Sequence, residues 1–208
     1  MKKKVMTLCM TVLMVTLTAG VFTVHADAAS RDVTAKMSKD KNLKRITRMM
    51  TAYTTAMNIS GPAQKKTTNI KLNSSNRLSI AAFVRFQYKE DVGFTANELK
   101  AETKALFGKG TGAGQIKAYG KTSMLVCNSN RYVKEPYMYC GGEFGDNIPL
   151  YKITRIRQIG KNTYQVTAQN RLGIYGEKGS EKIGTTTLIL KKAAASRYGY
   201  IVKNIAYK

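Results

Sequence analysis

The chain has 208 residues, of which 43% are hydrophobic, and its 35 lysines and arginines against 12 acids give a formal net charge of +23. The length suits one domain with a substantial core, and the charge predicts anionic partners such as wall polymers, acidic glycans, anionic lipid or nucleic acid. The only histidine, His25, lies in the N-terminal leader, so the chain without its leader lacks the histidine that Ser-His-Asp catalysis, Cys-His catalysis or a histidine-containing zinc site requires.

Residues 1–28 have the organisation of a secretory signal peptide. Three lysines precede an uncharged apolar run that ends at Val24, and two overlapping small-residue cleavage motifs follow. A retained membrane anchor is the alternative, because about 20 apolar residues span a bilayer. Gly20 and the cleavage motifs favour cleavage. The expected product is a single secreted or extracellular domain over residues 29–208, without a transmembrane segment, whose charge falls from +23 to +20 with the three lysines if all acids are retained.

The first predicted element after the leader is an amphipathic helix over residues 41–58. Its apolar residues recur at steps of three and four, from Leu43 through Ile46 to Met57. Lysines and arginines lie off that face, and we expect them to be solvated rather than to contact a membrane or wall.

Residues 76–89 fit two kinds of secondary structure. Their apolar side chains fit one face of a helix, but several of them also alternate as in a strand. Helix is favoured, because Ser74 or Ser75 can cap it and because alanine has a high helix propensity.

The clearest local signal is a third helix between Thr95 and Gly108. Thr95 followed by Glu98 forms a capping box, and Phe94 and Leu99 stand in the positions of a hydrophobic staple. Gly108 stands where a C′ glycine ends a helix.

The glycine-rich run after this helix is predicted to be a loop and not a phosphate site. Five residues separate Gly114 from Gly120, where a P-loop has four between its glycines. A helix rather than a strand precedes the run, which argues against a dinucleotide-binding fingerprint. No cofactor is therefore expected.

The sequence predicts a hairpin that ends at Cys140. It consists of a strand through Cys127, a turn and a tyrosine-rich segment. In an oxidising exterior this cysteine pair is most simply a disulfide, worth about 3 kcal/mol, and a metal site is the weaker alternative because zinc usually takes four ligands. Tyrosines stack on sugars or bases while cations meet anionic groups. The competing interpretation, that the tyrosines cover a sheet edge, carries more weight because tyrosine is common in sheets. The candidate binding residues here are Arg131, Tyr132, Lys134, Tyr137 and Tyr139.

Three carboxylates, Glu135, Glu143 and Asp146, lie in the same region. Two acids suffice for general acid and base work or for glycoside hydrolysis. In so basic a chain, scattered acids are more often surface ion-pair partners. No catalytic residue and no metal ligand is therefore assigned, and a binding role is favoured over an enzyme.

The last third of the chain, residues 150–208, predicts an antiparallel β-meander of four β-rich runs separated by Gly, Asn and Lys turns. On its second strand, five residues of one parity are expected to face the core: Tyr164, Val166, Ala168, Leu172 and Ile174. Arg171 has the opposite parity. With Arg155 and Arg157 on the preceding strand, it is expected to form a basic patch on the exposed face of the sheet.

About three helices followed by four to six antiparallel strands predict an α+β fold, with the helices packed on one face of a curved sheet. In this order the chain resembles NTF2-like and cystatin-like proteins and, more loosely, small secreted bacterial proteins of uncharacterised families. Four segments carry the resemblance: LNSSNRL, the helix that ends in ALFG, the hairpin around IGKNTYQV and the strand that opens with SRYGYIV. In NTF2-like enzymes the cone between helices and sheet commonly holds an Asp or His that handles protons. We place neither at an inward strand position, so the resemblance implies no catalytic residue.

These observations favour a secreted, non-catalytic binding domain that is attracted to an anionic extracellular polymer or cell-surface component. The alternative is a pocket protein, which binds a small-molecule ligand or acts as an enzyme of NTF2-like type through carboxylates and tyrosines. Sequence-specific nucleic-acid binding is not expected, because the chain has the charge but no recognisable motif for it.

Overall fold

The computed structural model of the chain describes residues 30–60, 66–89, 93–112, 114–116, 125–128, 131–134, 147–174, 176 and 178–208. Contacts divide the chain into two units, Met1–Ser30 and Arg31–Lys208, and the fold below is that of the second unit. The predicted signal peptide and its cleavage lie outside the described residues. Among the described residues, no helix has the length and hydropathy needed to cross a membrane.

The second unit contains four helices of four or more residues in its described part: α1 (Thr34–Met37), α2 (Lys41–Ser60), α3 (Ser74–Lys89) and α4 (Ala96–Phe107). Its nine described strands are β1 (Arg31–Asp32), β2 (Thr68–Ile70), β3 (Gly93–Thr95), β4 (Leu125–Asn128), β5 (Arg131–Lys134), β6 (Asn147–Gly160), β7 (Thr163–Ile174), β8 (Glu181–Lys192) and β9 (Tyr200–Tyr207).

Six of these strands form one antiparallel sheet in the order β1-β6-β7-β8-β9-β2, and β3-β5-β4 form a second, smaller sheet. The predicted meander is confirmed, because β6 to β9 pair in sequence order. Asn162 in the turn between β6 and β7 has a φ of 57°, a conformation that asparagine adopts more readily than most residues. The α+β class with an antiparallel sheet is confirmed.

The parity predicted for β7 is correct over most of the strand and fails at its end. Tyr164, Val166 and Ala168 are buried, and Leu172 packs against the core. Ile174 was expected in the core but is 46% exposed. It is the last residue of β7 and pairs with the first residue of β6, so it lies at the end of the ladder, where burial declines.

Helix α2 lies against the sheet on one side and against α3 on the other. Tyr53 of α2 meets Phe83 of α3 edge to face, with ring centroids 5.4 Å apart. Residues 49–56 are all buried, whereas the lysines and arginines of the first two turns are exposed. The predicted amphipathic helix is confirmed, but its buried part is wider than a single stripe in the C-terminal half.

Helix α3 resolves the ambiguity of residues 76–89 in favour of helix. Residues 80–85 are buried without interruption, and a helix buried on all sides needs apolar residues at nearly every position. Such a run satisfies the helical and the alternating pattern together. The cap differs from the prediction: Asn73, and not Ser74 or Ser75, accepts the amide hydrogen of Asn76 at 2.8 Å.

The start and end of α4 agree with the prediction. Thr95 Oγ1 accepts the amide hydrogen of Glu98 at 3.2 Å, and the Glu98 carboxylate accepts the amide hydrogen of Thr95, which completes the capping box. Gly108 follows the last turn with a φ of 71°. The left-handed conformation there is one that glycine adopts without a steric penalty.

We expect Gly108→Ala to lower the free energy of unfolding by about 1 kcal/mol. An added Cβ would be strained by the positive φ and would lie 3.0 Å from Ile201 Cδ1. Urea denaturation measures the loss. Gly110→Ala is the matched control, since Gly110 is exposed and its Cβ would meet only Lys100 Cε, at 4.0 Å. An equal loss in both variants would contradict a specific role for the C′ glycine.

A candidate anion-binding site on helix α2

Four cationic side chains of α2 line one depression of about 340 Å³. They are separated by steps of three and four residues and therefore lie along one side of the helix. The lining residues are Lys41, Lys44, Arg45, Arg48, Met49 and, from β6, Tyr151. No carboxylate is among these described lining residues, so we call the depression the cationic groove.

The carboxylate of Asp40, the residue directly before α2, binds groups of the protein and is not among the residues that line the groove. Its Oδ1 accepts the amide hydrogens of Asn42 and Leu43, at 2.9 and 3.0 Å, and caps the helix. Its Oδ2 accepts the Tyr200 hydroxyl hydrogen at 2.7 Å. Partial burial raises the pKa of Asp40, but these hydrogen bonds outweigh that effect, and the pKa lies below its usual value. The carboxylate is therefore ionised at neutral pH, and both of its oxygens accept hydrogen bonds from groups of the protein.

Arg45 is held in place by an aromatic contact. Its guanidinium carbon lies 5.1 Å from the ring centroid of Tyr198, and that of Arg197 lies at the same distance from the same ring. Both separations are within the range of attractive cation–π interactions. Because the ring is fixed by its own buried contacts, Arg45 enters the groove with part of its conformational freedom already removed.

Tyr198 is fixed by Glu102 of α4, which is fully buried. The Tyr198 hydroxyl donates to Glu102 Oε1, and the Arg197 guanidinium contacts Oε2. Burial, together with the hydrogen bond to the Glu102 carboxylate, raises the pKa of Tyr198 to about 12. The phenol therefore remains a neutral donor over the whole physiological range.

Tyr151 forms the part of the groove that belongs to the sheet. It is half-buried and pairs in register with Asn170 of β7. Burial raises the pKa of Tyr151, an effect that the charge of Arg48 partly opposes. The side chain therefore offers an aromatic surface and a neutral hydroxyl beside four cations.

Four carboxylates in the described part of the chain are engaged by protein donors. Asp32 accepts from Arg155 Nε at 3.3 Å and from the Thr34 amide at 2.9 Å. Asp40 caps α2 as above, Glu98 caps α4 and accepts from Arg85 at 3.2 Å, and Glu102 binds Tyr198 and Arg197. The excess positive charge is therefore presented to solvent with little local compensation from these acids.

The three arginines predicted on the exposed face of the sheet are only partly brought together. Arg155 pairs in register with Thr167, and Arg157 with Gln165, so the two lie on the same face. Arg171 lies four residues beyond Thr167, about 13 Å along the strand. Its guanidinium is bound to Ser180 Oγ at 2.8 Å and to the Ser180 carbonyl. A joint patch of all three remains a prediction.

The tyrosine-rich hairpin is described only in part. β4 and β5 pair antiparallel, with Cys127 opposite Tyr132, and β5 also contains Arg131 and Lys134. β5 pairs on its other side with β3, a strand that the sequence did not indicate. Predictions for Tyr137, Tyr139, Cys140, Glu135, Glu143 and Asp146 concern positions outside the described residues. The disulfide between Cys127 and Cys140 and the binding role of this segment stay predictions.

Glu102 is a site residue that the sequence analysis missed. A signal was present, because Glu102 lies three residues after Leu99 and four before Leu106, both fully buried, and so occupies the apolar face of α4. Both of its oxygens face protein donors, an arrangement that joins α4 to the segment before β9. Within the described residues, no group of three or more Asp, Glu, Cys or His side chains is placed to hold a metal ion.

Comparison with protein-family models, with curated proteins and with solved structures gives no match to this chain.

Proposed function

We propose that the protein is a secreted, non-catalytic binding domain that attaches to anionic polymers outside the cell through the cationic groove. The observation that carries the proposal is the convergence of Lys41, Lys44, Arg45 and Arg48 on one depression whose described lining contains no carboxylate. The net charge of +23, or +20 without the three lysines of the leader, supports it, because a surplus of this size attracts polyanions over distances of a Debye length.

The same proposal covers the role of the leader and the fold family of the domain. Residues 1–28 are inferred to direct export, and helices covering one face of an antiparallel sheet support an NTF2-like or cystatin-like arrangement. The predicted hairpin residues beyond the described part remain a second contact surface in this proposal. Fold likeness alone does not assign activity, so the charge distribution carries the functional inference.

A triple variant that removes three positive charges from the groove tests it directly. We expect Lys41→Gln, Lys44→Gln and Arg48→Gln together to weaken binding to an immobilised polyanion by about tenfold or more at low salt. The slope of log affinity against log salt concentration should fall by roughly one unit for each cation that contacts the polymer. Biolayer interferometry with polygalacturonate and with inorganic polyphosphate, from about 50 to 500 mM NaCl, gives both quantities.

The matched control removes the same charge elsewhere. Lys161, Lys191 and Lys203 are exposed and lie outside the groove, and their triple change to Gln lowers the net charge equally. If the control weakens binding as much as the groove variant, attraction is a property of the whole surface and the groove is not the site. If the unaltered protein binds neither polymer, the proposed function is wrong.

A further inference from the structure

We infer that the cationic groove takes an acidic polysaccharide, whose sugar ring packs on Tyr151 and whose carboxylates meet the cations of α2. This inference rests on the proposed function and specifies its ligand. The groove is not lined by cations alone: the half-buried Tyr151 belongs to the same surface, and Met49 lies beneath it with only 2% of its surface exposed. A ligand that fits it needs an apolar surface next to its anionic group.

The chemistry of the lining favours a uronic-acid chain over a bare phosphate chain. A phosphate is best satisfied by polar donors on several sides, whereas one wall here is the aromatic ring of Tyr151. A sugar ring has a C–H face that packs on an aromatic side chain and hydroxyls that bind a phenol. The neutral hydroxyl of Tyr151 is a donor of that kind.

The cations are arranged for a chain rather than for a single ion. Arg48 lies seven positions after Lys41, which places their Cα atoms about 10 Å apart along the helix axis. Four cations along that length carry more positive charge than one carboxylate neutralises, which suits consecutive anionic groups of a polymer. Arg45, restrained by Tyr198, offers a planar guanidinium that can bind a carboxylate through two hydrogen bonds.

The test compares two polymers and two substitutions of one residue. For Tyr151→Leu, we expect affinity for polygalacturonate to fall about fivefold or more, as when an aromatic stacking partner is lost. The affinity of the same variant for inorganic polyphosphate should stay within about twofold of that of the unaltered protein. Tyr151→Phe keeps the ring and should retain most of the polygalacturonate affinity. Circular dichroism and thermal unfolding of each variant report whether the fold is kept.

Each outcome decides the inference separately from the proposed function. Equal binding of both polymers, with neither affected by Tyr151→Leu, would overturn the acidic polysaccharide and leave polyanion binding standing. Stronger binding to vesicles of anionic phospholipid than to polygalacturonate would overturn it in favour of a membrane surface. If Tyr151→Leu does not fold, the unaltered protein decides: it must bind polygalacturonate more tightly than polyphosphate at equal charge concentration, or the inference fails. Absence of binding to all three probes would overturn the proposed function as well.

Discussion

Glu102→Gln is expected to lower the free energy of unfolding by about 3 kcal/mol or more. The carboxylate is fully buried and lies between the guanidinium groups of Arg85 and Arg197 and the hydroxyl of Tyr198. The Arg85 side chain is only 7% exposed. Gln preserves the volume of the side chain but removes the negative charge and turns an amide N–H₂ toward groups that are themselves donors. The change removes the negative charge that both guanidinium groups share, although Arg85 keeps its ion pair with Glu98.

Chemical denaturation in guanidinium chloride or urea measures this loss. Glu181→Gln is the control, because Glu181 is an exposed carboxylate at the start of β8, and its change should stay within about 0.5 kcal/mol. A loss below about 1 kcal/mol for Glu102→Gln would show that the cluster is hydrated or rearranged in solution. A loss equal to that of the control would remove Glu102 as the group that fixes Tyr198 and, through it, Arg45.

Local sequence signals were sufficient to predict an element where its start, end or buried face is determined by residues of that element alone. The capping box at Thr95 and Glu98 and the glycine at 108 lie within fourteen residues of one another, and both were predicted. The alternation of β7 likewise predicted its buried face. The pattern of α3 could not separate helix from strand, because its central residues are buried on all sides and no polar face marks a period.

The candidate site depends on contacts between distant parts of the chain, which explains why the sequence did not show it. The basic residues of α2 were visible but were assigned to solvent, since Tyr151 lies about a hundred residues further along and reaches them only in the folded sheet. Glu102 meets Arg197 and Tyr198 across a similar separation. A carboxylate on an apolar helix face indicates a buried partner but not which residue that partner is.

A second buried polar cluster joins α2 to the sheet. Thr54 of α2, Asn170 of β7 and Thr186 of β8 are all fully buried and form a closed ring of hydrogen bonds. Asn170 Nδ2 donates to Thr54 Oγ1 at 3.0 Å, and the Thr186 hydroxyl donates to Asn170 Oδ1 at 2.6 Å. The two threonine oxygens lie 2.5 Å apart. Asn170 has the inward parity of β7, where the alternation pattern calls for an apolar residue, and its hydrogen bonds to Thr54 and Thr186 give it a specific role in fixing α2 on the sheet.

Asn170→Asp is expected to cost about 3 kcal/mol at pH 7, because it places a carboxylate in a fully buried site whose hydrogen-bond partners among the described residues are two threonine hydroxyls and no cation. Burial should raise the pKa of the new aspartate above that of the unfolded chain. A group of this kind destabilises the fold as pH rises through the interval between the two pKa values, so the loss should shrink as pH falls toward about 4. Thermal and urea unfolding of the variant and the unaltered protein, measured in parallel across this pH range, give the difference.

Gln169→Glu provides the control on the neighbouring residue, which lies on the opposite face of β7 within 3.3 Å of Arg171. The same change from amide to acid should there stay within about 0.5 kcal/mol at pH 7. If Asn170→Asp loses no more stability than this control, or if its loss does not depend on pH, the ring is open to water. Thr54, Asn170 and Thr186 would then not be what fixes α2 on the sheet, and the position of the α2 cations relative to Tyr151 would rest on apolar packing alone.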